Sequence, residues 1–242
     1  MKLNLKNKVV LVTGGTRGIG KEITNQFLSS GSKVIITGTK KKEDYILPKK
    51  NIRYLQLDTT QNDSISLFFE NIKKIQSIDI LINNLGINPI NYIDQINERE
   101  LNLVITTNLK IPILLSKLIS KKMKLKKKGK ILNISSIWGI VSKPKRISYS
   151  SSKSGLNGLT RALAVELAKY NILVNSISPG FVKTDLTIRN LGKNINDIKK
   201  QVPLNRLAST KEIAFTSLFL CSDLNTYITG QNIIVDGGFT AI

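Results

Sequence analysis

At 242 residues, 41% of them hydrophobic, the chain is long enough to bury a substantial core in one α/β domain, and no linker marks a second. One cysteine and no histidine exclude disulfides within the chain, most transition-metal sites and every histidine-based mechanism, which leaves the chemistry to Ser, Tyr, Lys or carboxylates. The formal charge of +21 invites polyanion binding, yet only seven of the 37 basic residues are Arg, a skew that fits AT-rich coding DNA, and no specific nucleic-acid partner is expected.

Met1 to Lys8 lacks the apolar stretch of a signal peptide, and Val9–Val12 and Ile111–Leu115 fall far short of the roughly 20 residues that span a bilayer, so a soluble, cytoplasmic protein without a membrane partner is expected. Strands are expected at Val9–Thr13, Val34–Thr37, Tyr54–Leu57, Ile78–Ile82, Lys130–Ile134, Leu173–Ser178 and Asn232–Val235. Helices are expected near Ile19–Ser29, Ser64–Lys74, Glu98–Lys122, Tyr149–Tyr170 and Thr210–Cys221. Strands apolar on both faces and alternating with helices imply a doubly wound α/β fold, a parallel sheet of roughly seven strands with helices on each side. Ligands of such sheets lie beyond the carboxyl ends of the strands. Pro112 should kink the fourth helix or weaken its ladder near Asn108, because proline has no N–H. The lysine run from Lys121 to Lys128 reads as a solvated helix end. The polar stretch Thr187–Val202 reads as a mobile flap.

The first strand leads into Thr13-Gly14-Gly15-Thr16-Arg17-Gly18-Ile19-Gly20. Glycines let the backbone approach a pyrophosphate, and the N–H groups and dipole of the following helix favour that anion. A glycine turn alone can be only a tight connection; after the first strand of a doubly wound chain it points to a dinucleotide. NAD enzymes commonly place an acid at the end of the second strand, whereas this one ends Thr37-Gly38-Thr39-Lys40-Lys41. With no acid to repel a 2′-phosphate, and with Arg17 and Lys40 to pair with it, NADP(H) is expected over NAD(H). The alternative is that Lys40 and Lys41 are two more surface lysines. Asp58 and Asn83-Asn84-Leu85-Gly86 follow the third and fourth strands at the same edge; Asp58 can meet the adenine, and Asn83 can brace the sheet.

Tyr149 and Lys153 stand four apart at the start of a helix, hence on one face. Ser136 stands thirteen residues before Tyr149, but Ser32, Tyr45 and Lys49 repeat that spacing. Context separates the two sets: Pro48 disfavours a helix through Tyr45–Lys49 and Ser32 precedes its strand, whereas Ser136 follows its strand at the carboxyl edge.

Thr13–Gly20, Asn83–Gly86, Asn108, Ser136, Tyr149, Lys153, Pro179-Gly180 and Ile228-Thr229-Gly230-Gln231 together resemble the short-chain dehydrogenase/reductase family over essentially the whole chain. The resemblance implies one Rossmann-type domain over residues 1–242 and a catalytic tetrad of Ser136, Tyr149, Lys153 and Asn108. Tyr149 would donate a proton to a carbonyl oxygen as hydride arrives from the nicotinamide. Moving a tyrosine from ~10 to ~7 takes about 4 kcal/mol of differential stabilisation, much of it expected from Lys153. Lys153 would also bind the nicotinamide ribose, Ser136 rather than Ser135 would polarise the substrate oxygen, and Asn108 would hold a water in a proton relay. Taken singly, Asn108 could be an ordinary helix residue and Ser136 a turn former. Gly14, Thr16, Arg17, Gly18, Ile19, Gly20, Thr39, Lys40, Asp58, Asn84, Gly86, Tyr149, Lys153, Pro179, Gly180, Val182 and Thr184 are the expected cofactor contacts, with Val182 and Thr184 at the carboxamide; no metal is expected.

The stretch from Pro203 to Gly238 is most similar to the reductases of the family that act on 3-oxoacyl groups held on acyl carrier protein. Lys127 matches one basic residue that receives this acidic carrier near the site mouth; Tyr170 replaces a second, beside Lys169. Ile87-Asn88-Pro89-Ile90-Asn91 lacks the usual Arg-Asp pair, and Ser142-Lys143-Pro144-Lys145-Arg146 is basic rather than glycine-rich. A rival is a dehydrogenase of phosphorylated, nucleotide-linked or acidic sugar derivatives, whose anion Lys143, Lys145 and Arg146 could bind. A third reading, a non-catalytic nucleotide- or polyanion-binding protein, is opposed by the intact tetrad. A homotetramer is implied, with the Tyr149–Tyr170 helix and the last strand at interfaces.

Overall fold

The computed structural model describes residues 3, 5–41, 43, 50–185, 187–188 and 192–241. Its strands are β1 (Val9–Val12), β2 (Lys33–Gly38), β3 (Ile52–Gln56), β4 (Ile80–Asn83), β5 (Gly129–Ile134), β6 (Ile172–Pro179) and β7 (Asn232–Val235). Its α-helices are α1 (Gly18–Ser29), α2 (Asn62–Lys73), α3 (Glu98–Ile105), α4 (Ile111–Lys126), α5 (Ile147–Leu167), α6 (Ile195–Lys200) and α7 (Thr210–Cys221). The described part of the expected flap contains α6 and a short 3₁₀ turn, Gly192–Asn194. Residues 189–191 lie outside the described residues, as do Tyr45, Pro48 and Lys49 of the competing set. Ser32 of that set is buried at the amino edge, its hydroxyl donating to the Leu5 carbonyl at 3.2 Å.

Successive strand residues point to opposite faces, and the sequence supplies apolar groups for both. Val10, Val12, Ile80, Ile82, Leu132 and Ile134 face α1 and α7, where Ile23, Phe27, Ile213 and Leu218 complete one core. Leu11, Ile35, Leu81 and Ile131 face α2, α4 and α5, meeting Phe68, Ile72, Leu115, Ile119 and Leu167. Each such side chain, fully buried, contributes about 1.5–3 kcal/mol.

All strands pair in parallel, in the order β3-β2-β1-β4-β5-β6-β7. The chain runs outward through β2 and β3 and returns to lay β4 against the other side of β1, so the strand order reverses between β1 and β4. A crevice opens at the carboxyl ends on either side of such a reversal.

The expected disturbance near Asn108 is a π-turn, Thr106–Lys110, between α3 and α4, with Pro112 in the first turn of α4. Glu98–Lys126 is therefore one helical run of 29 residues, apolar and long enough to cross a membrane, although no contiguous apolar stretch reveals this. Half of its most apolar window is buried inside the molecule, where Leu115 and Ile119 face the sheet, as in a core helix. The lysine run is largely exposed, as a solvated helix end should be, with Lys121, Lys126, Lys127 and Lys128 all at the surface. Lys122 donates to carbonyls at the end of α2, and Lys124, Lys126 and Lys128 pair with Glu166, Asp79 and Asp223.

Candidate active site

The glycine turn joins β1 to α1 and is held from two sides. Thr37 Oγ1 accepts from the Gly14 N–H at 2.9 Å, and the Asn84 amide donates to the carbonyls of Thr13 and Gly14 at 2.9 and 3.2 Å. Gly14 and Gly18 have φ of +66° and +53°, a region that side-chain-bearing residues avoid. A Cβ on Gly20 would collide with the Gly14 carbonyl oxygen and sit 2.5 Å from the Asn84 amide nitrogen. Arg17 is the extended N-cap residue of α1, and no side chain caps that helix, so its first N–H groups face the crevice. This shape suits a pyrophosphate: a close backbone approach, open donors and a positive helix end.

The rest of the crevice, a cleft of about 340 Å³, is lined by Gly14, Arg17, Gly18, Ile19, Gly20, Asn84, Gly86, Ser136, Tyr149, Lys153, Pro179, Gly180, Val182 and Thr184, among others. Four expected cofactor contacts stand outside its wall. Thr16 packs against Gly38, where a Cβ would come within 2.8 Å of its methyl group. Thr39 and Lys40 are exposed beyond β2, their carbonyls accepting from Gln56 and Tyr54. The Asp58 carboxylate accepts from the Thr60 N–H and hydroxyl. Asn83 braces β4 to β5 by donating to Asn133 Oδ1 at 2.8 Å.

Ser136 follows β5 by two residues, Tyr149 and Lys153 share one face of the start of α5, and Asn108 comes from the π-turn before α4. Ser135 also lines the cleft, but its hydroxyl donates to the Lys153 carbonyl. Lys153 is buried, its Nζ donating to the Ile134 carbonyl at 2.8 Å, and burial lowers it from 10.5 to about 8. Burial raises Tyr149 above its ordinary value of 10.0, against the downward pull of hydrogen bonding with Ser136 and of the Arg146 charge. The downward displacement expected from Lys153 is therefore not present, because desolvation of a phenolate outweighs these attractions. Asn108, fully buried in the π-turn, accepts from the Ile87 N–H and donates to the Ile87 carbonyl and to Ser152 Oγ, at 2.9, 2.9 and 3.0 Å. Gly86 leaves the gap between Asn108 and Lys153: its Cβ would lie 3.5 Å from each.

The family model described as "Enoyl-(Acyl carrier protein) reductase" matches residues 14–240. The chain is also 39% identical to the 3-oxoacyl-[acyl-carrier-protein] reductase FabG of Aquifex aeolicus (strain VF5), over 98% of this chain and 99% of that one. The chain belongs to the short-chain dehydrogenase/reductase family. Among solved structures, ElxO with NADP bound superposes with a TM-score of 0.87 at 31% identity, covering 98% of this chain and 100% of that one. A gluconate 5-dehydrogenase from Burkholderia cenocepacia J2315, in complex with NADP and tartrate, gives 0.88 at 23% identity over 100% and 98% of the two chains, a likeness of fold alone.

Several residues that shape the site were not legible in the sequence. Ser152 links Asn108 to the Tyr149 carbonyl, and Thr13 Oγ1 accepts from the N–H groups of Asn84 and Leu85. Trp138, Phe181 and Phe239 meet edge to face with centroids 5.3–6.0 Å apart, and the first two line the cleft. Of the basic loop residues, Lys143 and Arg146 reach the cleft wall, whereas Lys145 lies over the Tyr92 ring at 4.4 Å. Lys127 does not stand at the site mouth of its own chain: it ends α4 at the amino edge, as does Lys169 before β6, across the sheet from the cleft.

Proposed function

We propose that this protein is an NADPH-dependent reductase that converts 3-oxoacyl groups on acyl carrier protein to the 3-hydroxyacyl form. The reading is carried by the convergence of Ser136, Tyr149 and Lys153 on a cleft continuous with the glycine turn, in a chain 39% identical to a relative bearing that name. Bound NADPH supplies the hydride. Tyr149, kept as the neutral phenol by burial, donates its proton to the carbonyl oxygen, which becomes the hydroxyl. The Ser136 hydroxyl hydrogen-bonds that oxygen and orients it. Lys153, buried with no carboxylate partner among the described residues, favours the phenolate left behind and holds the ribose; Asn108 fixes the Ile87 loop and Ser152 around a water that returns the proton. Arg17 and Lys40 pair with the 2′-phosphate, and Val182 and Thr184 hold the carboxamide.

Residues 1–242 act as one domain, in the cytoplasm, within a homotetramer. The exposed apolar side chains of Val165 on α5 and Ile234 on β7 support the assembly, being 83% and 43% accessible in the single chain. Docking lysines at the amino edge would then serve the cleft of another chain. The rival, an alcohol dehydrogenase of an acidic or phosphorylated sugar derivative, is favoured by Lys143 and Arg146 in the cleft wall. The deciding experiment follows NADPH absorbance with acetoacetyl-acyl-carrier-protein, with NADH in parallel and Tyr149→Phe as control. Rapid, Tyr149-dependent oxidation of NADPH is expected; its absence from a protein that still binds NADPH overturns the acyl reading.

A further inference from the structure

Arg146 stands three residues before Tyr149, at the N-cap of α5, with its guanidinium in the cleft wall. One arm is fixed: Nη1 donates to Asn88 Oδ1 at 3.0 Å. The Nε–H is buried and has no partner, an uncommon state for a charged donor and one that a buried acceptor would relieve. Lys143 lines the same wall, its Nζ held 5.2 Å from the centre of the Trp138 ring. Among the described residues neither cation forms an ion pair, although five other pairs do form. Both are held below their ordinary proton affinities by burial first, and Lys143 also by the Arg146 charge, so an anion between them would relieve desolvation and mutual repulsion together. Arg146 and Tyr149 line the same cleft, and the Arg146 charge acts on the phenol, so an anion held by Arg146 shares the cleft with the reacting oxygen.

We propose that Arg146 and Lys143 form a subsite for an anionic group of the substrate, a carboxylate or a phosphate, carried close to the carbonyl that Tyr149 protonates. The subsite rests on the reading of this cleft as the place of carbonyl reduction. It makes the two residues specificity determinants: Asn88 presets the planar fork, and Lys143 adds a point charge over an aromatic wall. Small oxo acids and phosphorylated oxo compounds present such an anion within a few atoms of the carbonyl.

Trp138 is the only tryptophan of the chain and lies directly under Lys143, so its fluorescence reports on the subsite without turnover. The full chain is titrated at constant ionic strength with acetoacetate, with inorganic phosphate and with neutral acetoacetamide. A saturable change with acetoacetate or phosphate and none with acetoacetamide is expected, the responding anion distinguishing a carboxylate from a phosphate. Arg146→Gln should weaken that binding by about 10- to 100-fold, the value of a lost hydrogen bond to a charged group. Lys143→Gln, on the exposed loop, serves as a second variant should the first fail to fold. Saturation by neither anion, an equal response to acetoacetamide, or wild-type titration by a folded variant overturns the subsite. Reduction of acetoacetyl-acyl-carrier-protein without any anion response would sink the subsite alone; an Arg146-dependent response without thioester reduction would sink the acyl reading alone.

Discussion

Lys153 Nζ lies 5.7 Å from the centre of the Tyr149 ring and 2.8 Å from the Ile134 carbonyl oxygen, so the ammonium is anchored to the end of β5 while facing the phenol. Burial acts on both groups, raising Tyr149 and lowering Lys153 from 10.5 to about 8. Between those two pH values the unfolded chain keeps a proton on Lys153 that the folded chain has lost, so stability rises with pH across the window, and the cost is complete below about 8. Comparing melting temperatures of the wild type and Lys153→Met from about pH 8 to pH 10.5, the balance should move toward the wild type by about 3 kcal/mol in stability. A difference that stays constant with pH would mean that the ammonium is not desolvated.

Tyr149→Phe removes the hydroxyl proposed as the proton donor and leaves the ring. Turnover should fall by roughly 10²–10⁴-fold or more, while NADPH binding, followed by cofactor fluorescence, changes little. Retained turnover would end the assignment of Tyr149 as the acid.

Arg17 borders the cleft, and Lys40 is exposed beyond the end of β2. Replacing both with Ala should weaken NADPH by roughly 10- to 100-fold or more and NADH far less, because only the former carries a 2′-phosphate. Equal losses for the two cofactors would remove the account of the preference.

Gly20→Ala forces a methyl group against the Gly14 carbonyl oxygen and the Asn84 amide that holds it. A loss of about 1–3 kcal/mol in stability is expected by denaturant titration, with a larger loss of NADPH affinity because the displaced backbone is the cradle proposed for the pyrophosphate. An unchanged cofactor affinity would separate this turn from the pyrophosphate.

Val165→Glu places a charge at an exposed apolar side chain of α5. Light scattering should give a tetramer for the wild type and smaller species for the variant. A variant that stays tetrameric would put the interface elsewhere.

The elements were legible because their signals are local. Alternating apolar residues such as Val10, Leu11 and Val12 fill both faces of a buried strand, and the glycine turn followed by Ile23 and Phe27 marks β1 leading into α1. Strand edges shifted by a residue or two: β4 starts at Ile80 rather than Ile78, where the Asp79 carboxylate accepts from the Val9 N–H at 2.8 Å in place of a ladder bond. Pro112 announced a disturbance, but the register slip that places Asn108 within a π-turn depends on packing over the full helical run.

By itself the sequence determined the doubly wound alternation of strands and helices, the glycine turn and the four-residue spacing of Tyr149 and Lys153, because turn chemistry and helical or strand periodicity act over a few residues. Only the tertiary structure decided what those pieces face. It brings Asn84 onto Gly14 across 70 residues and Arg146 onto Asn88 across 58, buries Tyr149 enough to raise rather than lower its proton affinity, and puts Lys127 at the amino edge, away from its own cleft. Desolvation and long-range hydrogen bonds depend on which distant segments the parallel sheet makes neighbours, and no short window of residues carries that information.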